Sequence, residues 1–231
     1  MSTTESSPKA TGQRGRFITF EGPDGSGKST QLRSLAARLR SEGYDVLETA
    51  EPGGTEIGQQ IRRILLDGRN EELSAVTELL LMFAARAQNT DQWILPALRD
   101  GKIILCDRWT DSTLAYQGSG RGLGSEVVLE VDRIACRGLV PDLTIYVDIE
   151  VEAGLSRAKA RNQKTEAIET RLDEQALDFH KRARAAYLRL VSDEPDRVKL
   201  IDGDRSPSAV AEDVYETVSA LLYKQAPTTA S

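Results

Sequence analysis

Residues 17–29 read Phe-Ile-Thr-Phe-Glu-Gly-Pro-Asp-Gly-Ser-Gly-Lys-Ser, an apolar run followed by a glycine-rich turn. From Gly22 to Ser29 the stretch fits G-x-x-x-x-G-K-[S/T], in which backbone N–H groups surround phosphates, the lysine adds a charge and the hydroxyl binds Mg²⁺. The pattern carries weight because it lies between a predicted strand and a helix that begins near Lys28. It predicts a nucleoside triphosphate site. The predicted site comprises Gly22, Pro23, Asp24, Gly25, Ser26, Gly27, Lys28, Ser29 and Thr30.

Around this loop, short β-rich runs alternate with longer helical patterns along the whole chain, which is typical of βαβ units. The predicted strands are residues 17–20, 45–49, 103–106, 143–147 and 198–201. The predicted helices are residues 28–42, 56–66, 73–88, 91–99 with an interruption at Pro96, 126–136, 152–161, 170–192 and 208–223. We therefore expect the α/β three-layer fold of P-loop NTPases, with a mostly parallel five-stranded sheet and helices on both faces.

The size and charge of the chain exclude several protein classes. A length of 231 residues is enough for one domain with a sizeable core. The net charge of −6 argues against a protein that coats nucleic acid. No apolar run approaches the ~18 residues of a membrane span, so we expect no membrane partner.

The chain ends, cysteines and histidine predict little chemistry. Residues 1–15 are polar and Ser/Thr-rich and are expected to form a disordered tail, residues 16–224 the P-loop domain and residues 225–231 a second tail. Without a secretory signal, the expected location is cytoplasmic. The only cysteines, Cys106 and Cys136, are expected to be reduced structural thiols. We expect the single histidine, His180, to be a solvated helix position.

Other residues must define what happens to the terminal phosphate. The chain has no guanine-selective N-K-x-D motif and is short for a motor, so a small-molecule phosphotransferase fits best. The segment from Glu51 to Thr55 and the pair Asp107-Arg108 each follow a predicted strand, at the edge where ligands collect in open α/β sheets. Together with Arg62 and Arg86, they predict a second, arginine-rich phosphate site opposite the loop.

Several motifs in fixed order make the chain resemble the thymidylate kinase family. The motifs are FEGPDGSGKST, EPGGTEIGQQIR, LLLMFAARAQ, CDRWTDSTLAYQGSGRGL, PDLTIYVDI and RAKAR, with RARAAYLRL further on. The resemblance runs from about Arg16 to Leu222. It implies phosphorylation of dTMP to dTDP by ATP with Mg²⁺ for dTTP synthesis, in a homodimer.

The resemblance also implies roles for individual residues. The catalytic set is Asp24, Lys28, Arg108, Arg157 and Arg161. The dTMP-binding set is Glu51, Pro52, Arg62, Met82, Phe83, Arg86, Arg108, Ser112, Tyr116 and Gln117, in which either Met82 or Phe83 stacks on thymine. The metal set is Ser29 and Asp107. Ala50 departs from the family, since many members have arginine before the EPGG sequence.

Residues 157–171 are expected to form a mobile basic lid. They contain five basic residues (Arg157, Lys159, Arg161, Lys164 and Arg171) and two acidic ones (Glu166 and Glu169). Because the phosphate loop has no arginine at Pro23, Asp24 or Ser26, the cation for the transition state must come from elsewhere. The lid is the expected source, and the resemblance points to Arg157 and Arg161.

Two alternatives remain at this stage. A deoxynucleoside kinase shares the phosphate loop, but it attacks through a neutral hydroxyl and needs a carboxylate base. A monophosphate acceptor is already anionic and needs positioning and charge neutralisation only. A non-catalytic nucleotide-binding module would be favoured if Lys28, Arg108 or the lid cations were missing, and all are present.

Overall fold

A parallel five-stranded sheet forms the centre of the protein, described by a computed structural model over residues 14–165 and 169–223. The strand order is β2-β3-β1-β4-β5, and every neighbouring pair is parallel. The strands are β1 Arg16–Glu21, β2 Val46–Ala50, β3 Ile103–Asp107, β4 Leu143–Asp148 and β5 Val198–Asp202. The predicted α/β fold class is thus confirmed. The predicted tails, apart from residues 14 and 15, lie outside the described residues, as do residues 166–168 of the predicted lid.

Helices connect the strands and cover the sheet. The α-helices are α1 Lys28–Ser41, α2 Glu56–Leu66, α3 Ala75–Asn89, α4 Leu95–Arg99, α5 Thr110–Thr113, α6 Ser125–Ala135, α7 Val151–Thr165, α8 Leu177–Asp193 and α9 Pro207–Tyr223. Two π-helical segments, π1 Thr90–Ile94 and π2 Leu114–Gly120, join some of them. Side chains cap α2, α3 and α9, since Thr55 accepts from the Gly58 amide, Ser74 from the Thr77 amide and Ser206 from the Ala209 amide. Among the described residues, no helix is long and apolar enough to cross a membrane.

The core consists of two main layers because successive strand side chains point to opposite faces of the sheet. Ile18 and Phe20 of β1 pack on the face covered by α1 and α9. Phe17 packs on the other face, against Leu79 of α3 and against Trp109, whose ring it meets edge-on at 5.0 Å. The sheet is therefore sandwiched between helices, and the carboxyl ends of its strands open toward one side of the molecule.

The structure differs from three of the helical predictions. Pro96 does not interrupt a separate helix, because residues 75–99 are continuously helical and the wide turns of π1 precede the proline in the first turn of α4. α7 extends to Thr165, beyond the predicted end at residue 161. α8 begins at Leu177 rather than near residue 170. Residues 110–120, for which no helix was predicted, form α5 and π2.

His180 is the clearest error of the sequence analysis. Its side chain is buried rather than solvated, and it meets the ring of Phe179 edge-on at 5.3 Å. Burial lowers the pKa of His180 below its ordinary value. Cys106 and Cys136 are buried free thiols, as predicted.

Candidate active site

A cavity of about 550 Å³ lies at the carboxyl end of the sheet, at the expected position. It brings together most of the predicted site residues: Asp24, Lys28, Ser29, Glu51, Pro52, Arg62, Met82, Arg86, Asp107, Arg108, Ser112, Tyr116, Gln117 and Arg161. The predicted site residues that do not line this cavity are Phe83, Arg157 and six members of the predicted ATP site, namely Gly22, Pro23, Gly25, Ser26, Gly27 and Thr30. Residues from distant parts of the sequence converge here because β1, β2 and β3 all end at this edge.

The phosphate loop is closely packed on one side and open on the other. Gly22, Gly25 and Gly27 have positive φ angles of 138°, 78° and 94°. A Cβ on Gly25 would lie 2.1 Å from the carbonyl oxygen of Gly154 in α7, whereas a Cβ on Gly27 would meet nothing within 4 Å. The loop thus packs against α7 on one side and leaves space on the other, as backbone that approaches phosphates requires.

Lys28 lies at the start of α1 with its ammonium turned back over the loop. Its Nζ donates to the Pro23 carbonyl oxygen at 2.9 Å, and the side chain is buried. Burial, with a further contribution from Arg108, lowers the pKa of Lys28 to about 8. The lysine therefore remains mostly charged at neutral pH and faces the space that phosphates would fill.

The two predicted metal ligands are in contact. The Ser29 hydroxyl in the first turn of α1 donates to Oδ2 of Asp107, which ends β3. A hydroxyl and a carboxylate are hard oxygen donors that suit Mg²⁺, which keeps several waters and needs few protein ligands. The donor chemistry at this point fits the metal implied by the family. Among the described residues, no cluster of three or more His, Cys, Asp or Glu side chains could hold a metal ion.

Arg108 occupies the centre of the cavity in a backbone conformation that is rare for a side chain of its size. Its φ is 72°, in the left-handed region. The guanidinium donates to Asp24 Oδ1 at 2.7 Å and to the Gly22 carbonyl oxygen at 3.2 Å, so it bridges to the phosphate loop. Burial opposes the charge on Asp24, but Arg108 and Lys28 outweigh it and lower the pKa of Asp24 well below its ordinary value. Asp24 is thus an ionised partner of the arginine.

The far end of the cavity contains a fully buried cation. Arg86 of α3 donates to the Thr113 hydroxyl at 2.9 Å and to the Trp109 carbonyl oxygen at 3.2 Å. Its Nε has no partner among the described residues. Nearby, Glu51 accepts from the Asn89 amide while its Oε2 has no such partner, and burial raises the pKa of Glu51 to about 7. This end of the cavity therefore presents polar atoms available to a ligand.

Of the two candidates for stacking on a base, only Met82 reaches the cavity. Its side chain packs on Leu65 and Leu66 of α2 and lines the cavity wall. Phe83 points the other way, into the core beside Leu79, with its ring 4.7 Å from the Arg86 guanidinium. Successive helical positions differ by about 100° around the axis, so both residues cannot face the same ligand. Phe83 as a direct contact does not agree with the structure.

The predicted lid divides into parts with different environments. Arg161 of α7 lines the cavity, 3.5 Å from Asp173. The Arg157 guanidinium pairs at 3.0 Å with the exposed Asp204, outside the cavity lining. Arg171, counted among the lid cations, is buried, and its Nη2 donates to Glu78 at 2.6 Å. That arginine is a fixed structural group, so the count of available lid cations was too high.

Arg62, Tyr116 of π2 and Ser112 of α5 have partners already in place. Arg62 donates to Glu169 and to the Pro52 carbonyl oxygen, each at 2.9 Å. The ring of Tyr116 lies 5.1 Å from the Arg108 guanidinium. Ser112, expected to contact the base, shares a hydrogen bond of 2.8 Å with the Tyr187 hydroxyl and donates to Glu21.

Two buried carboxylates beside the cavity were missed by sequence reasoning. Glu21, at the end of β1, accepts from the Trp109 amide at 2.7 Å and the Tyr187 hydroxyl at 2.8 Å. Burial, helped by Asp111, raises the pKa of Glu21 to about 7. Glu78 of α3 is completely buried. A charged residue at the end of a buried strand, or within an apolar helix segment such as TELLLMF, is the signal that could have identified them.

The comparisons with known proteins agree with this geometry. The family model described as thymidylate kinase matches residues 20–214. A thymidylate kinase from Thermomicrobium roseum is 50% identical over 89% of this chain and 95% of its own, and one from Pelobacter propionicus is 48% identical over 88% and 94%. A solved thymidylate kinase structure from Ehrlichia chaffeensis has a TM-score of 0.71 and 29% identity, covering 89% of this chain and 99% of that chain.

The family match covers the cavity residues of the phosphate loop, Asp24, Lys28 and Ser29, and the acceptor-side residues up to Gln117. It also covers the helices that carry Arg161 and Tyr187. On the family model and on relatives similar over nearly their whole length, the chain belongs to the thymidylate kinase family.

Proposed function

We propose that the protein transfers the γ-phosphoryl group of ATP to the phosphate of dTMP and so forms dTDP for dTTP synthesis. The observation that supports this most directly is that three basic side chains line a single cavity. Lys28 lies at the phosphate loop, Arg108 at the centre and Arg86 at the opposite end. Two nucleotides placed end to end would meet at Arg108, where charge develops during transfer.

The proposed chemistry needs no general base. The phosphate of a nucleoside monophosphate is already anionic at neutral pH, so catalysis consists of in-line positioning and charge neutralisation. Asp24, the acidic residue of the phosphate loop, is ion-paired with Arg108 at 2.7 Å and has a lowered pKa, which suits an orienting role rather than proton abstraction. A deoxynucleoside kinase would need such a base, and this alternative is not favoured.

We infer that Mg²⁺ is the resident metal and that Ser29 and Asp107 would hold it, since their oxygens contact each other beside Lys28. When bound, the ion would neutralise charge on the β- and γ-phosphates. Arg161, which lines the cavity from α7, would add positive charge from the helix that packs against the phosphate loop.

A coupled spectrophotometric assay with ATP, Mg²⁺ and a panel of dTMP, dUMP, dCMP and thymidine tests the proposal. We expect dTMP to have the highest kcat/KM and thymidine to be inactive. Arg108→Met should lower kcat by more than about 10²-fold, whereas Arg69→Met, which removes an exposed arginine paired with Asp67, is the matched control. Turnover of thymidine without turnover of dTMP would contradict the proposal.

We also infer a cytoplasmic homodimer. Buried free cysteines support a reducing compartment. Exposed apolar side chains on adjacent helices support an interface, namely Ile57 and Ile64 of α2, Val76 and Leu80 of α3, and Val127, Leu129 and Ile134 of α6. The apolar run IILC at residues 103–106 is buried in β3 and adds nothing to this exposed surface. Light scattering should give a dimer mass, and Leu80→Glu should shift it toward the monomer.

A further inference from the structure

A buried carboxylate lies behind the acceptor end of the cavity and contacts three other polar side chains. Glu78 Oε1 accepts from the Gln117 amide nitrogen at 2.8 Å. Its Oε2 accepts from Arg121 at 3.0 Å and from Arg171 at 2.6 Å. The Glu78 side chain is completely buried, so these contacts replace water. The carboxylate is thus fixed from two sides by arginines.

The charge state of this group follows from its partners. Burial alone would raise the pKa of Glu78, but the hydrogen bonds from Arg121 and Gln117 outweigh burial and lower it. An ionised carboxylate has no proton to donate and can only accept. Gln117 must therefore turn its NH₂ group toward Glu78, and its amide cannot rotate to present the oxygen there.

The consequence appears on the cavity side of Gln117. This residue lines the cavity from π2, and no donor among the described residues reaches its side-chain oxygen. With the nitrogen occupied by Glu78, the oxygen is the polar atom left for a ligand. A fixed acceptor at this wall complements a base that carries an N–H donor at ring position 3, as thymine and uracil do. Cytosine has an acceptor at that position, so two acceptors would face each other.

We propose that Glu78 is a positioning residue for base selectivity, which holds the Gln117 oxygen toward the acceptor base and so favours 4-oxo over 4-amino pyrimidines. This inference rests on the proposed function, because it concerns the acceptor half of the same cavity. Glu78 itself does not line the cavity; it acts through Gln117. Placing the Gln117 oxygen opposite another acceptor in a closed site costs binding free energy, because neither acceptor regains the hydrogen bond that it makes with water.

The test compares kcat/KM for dTMP with kcat/KM for dCMP in variants of the full-length protein. Glu78→Gln keeps the shape, but its amide can donate to Gln117 and release the fixed orientation. We expect the dTMP/dCMP ratio to fall at least ten-fold, mainly through a higher KM for dTMP, while the KM for ATP is unchanged. Gln117→Leu should lower the ratio similarly, and adding Glu78→Gln to it should cause no further change.

Arg121→Gln is the matched control, because it removes the two hydrogen bonds from Arg121 to Glu78 but leaves the bond from Gln117 to Glu78 in place. We expect its ratio to stay within about twofold of the wild-type value. An unchanged ratio in folded Glu78→Gln or in Gln117→Leu, or an equal fall in Arg121→Gln, would overturn the inference. If Glu78→Gln does not fold, Gln117→Leu still decides whether this amide carries the selectivity. A wild-type protein inactive on dTMP would instead refute the proposed function.

Discussion

Gly25 of the phosphate loop offers a sharp test of how the loop is held. Its φ is 78°, and a Cβ added there would lie 2.1 Å from the Gly154 carbonyl oxygen and 3.1 Å from the Arg157 Cβ. Real Cβ atoms essentially never come closer than 3.0 Å to such an atom, so Gly25→Ala must separate the loop from α7 by roughly 0.9 Å. The clash is with backbone, which cannot rotate away as a flexible side chain can.

The expected cost has two components. Left-handed backbone costs about 1–2 kcal/mol for alanine, and overpacking adds about 1–3 kcal/mol. For catalysis, a displacement near 1 Å between the phosphate loop and the helix that carries Arg161 should lower kcat/KM by about 10²-fold. We therefore expect Gly25→Ala to lose both stability, measured by urea unfolding, and activity, measured with ATP and dTMP in the coupled assay.

Gly43→Ala separates these two components. Gly43 follows α1 with φ of 91°, but its Cβ would meet nothing within 4 Å, so only the backbone cost applies. This variant should lose about 1–2 kcal/mol of stability and keep wild-type kinetics. If Gly25→Ala retains kcat/KM within threefold of the wild type, or if Gly43→Ala loses as much activity, the packing of the loop against α7 does not control catalysis.

Three further predictions concern charged groups of the site. Arg161→Ala should lower kcat by more than about 10²-fold with little change in dTMP affinity. Arg157→Ala should have a smaller effect, because the Arg157 guanidinium lies outside the cavity lining. Steady-state kinetics showing equal activity for Arg161→Ala and wild type would contradict this. The pKa of Glu21 is raised from 4.5 to about 7 in the folded state, so between pH 4.5 and about 7 the folded protein binds more protons than the unfolded chain. The contribution of Glu21 to the free energy of unfolding therefore falls as pH rises through that range. Urea titrations should show a flatter pH dependence in Glu21→Gln, and an identical slope would refute the assignment. Because the pKa of Lys28 is about 8, ATP affinity measured by calorimetry should weaken, by up to about ten-fold, as pH rises from 8 to about 9; a flat profile would show that this charge is not lost.

The sequence predicted the sheet well because its signals are local. The loop from Gly22 to Ser29 fixes a strand before it and a helix after it, and the remaining strands are short apolar runs separated by helical patterns. The predicted range of α2, residues 56–66, agrees with the structure at both ends. The placement of most site residues followed as well, since parallel strands end at one edge.

The polar interior could not be read in the same way, because its pairings join residues far apart in sequence. Arg171 looked like a lid cation by composition, but its partner Glu78 lies 93 residues earlier and on another helix. His180 lies in an arginine-rich helix, and its burial depends on how α8 packs against other elements. The choice between Met82 and Phe83 likewise depends on which side of α3 faces the cavity, which motif spacing alone left open.

The net charge of −6 is compatible with a site for two anions, because two cavity arginines, Arg108 and Arg62, form ion pairs that differ in exposure to solvent. Arg108 and Asp24 are 18% and 21% exposed, whereas Arg62 and Glu169 are 29% and 42% exposed. Breaking a more buried ion pair leaves an unpaired charge with little solvation, which is unfavourable. An exposed ion pair contributes little to stability, so a phosphate can replace its carboxylate at low cost. An incoming phosphate should therefore displace Glu169 from Arg62 and add to, rather than break, the pair of Arg108 with Asp24. Substrate binding would then rearrange the rim next to residues 157–171 while the central guanidinium stays in place.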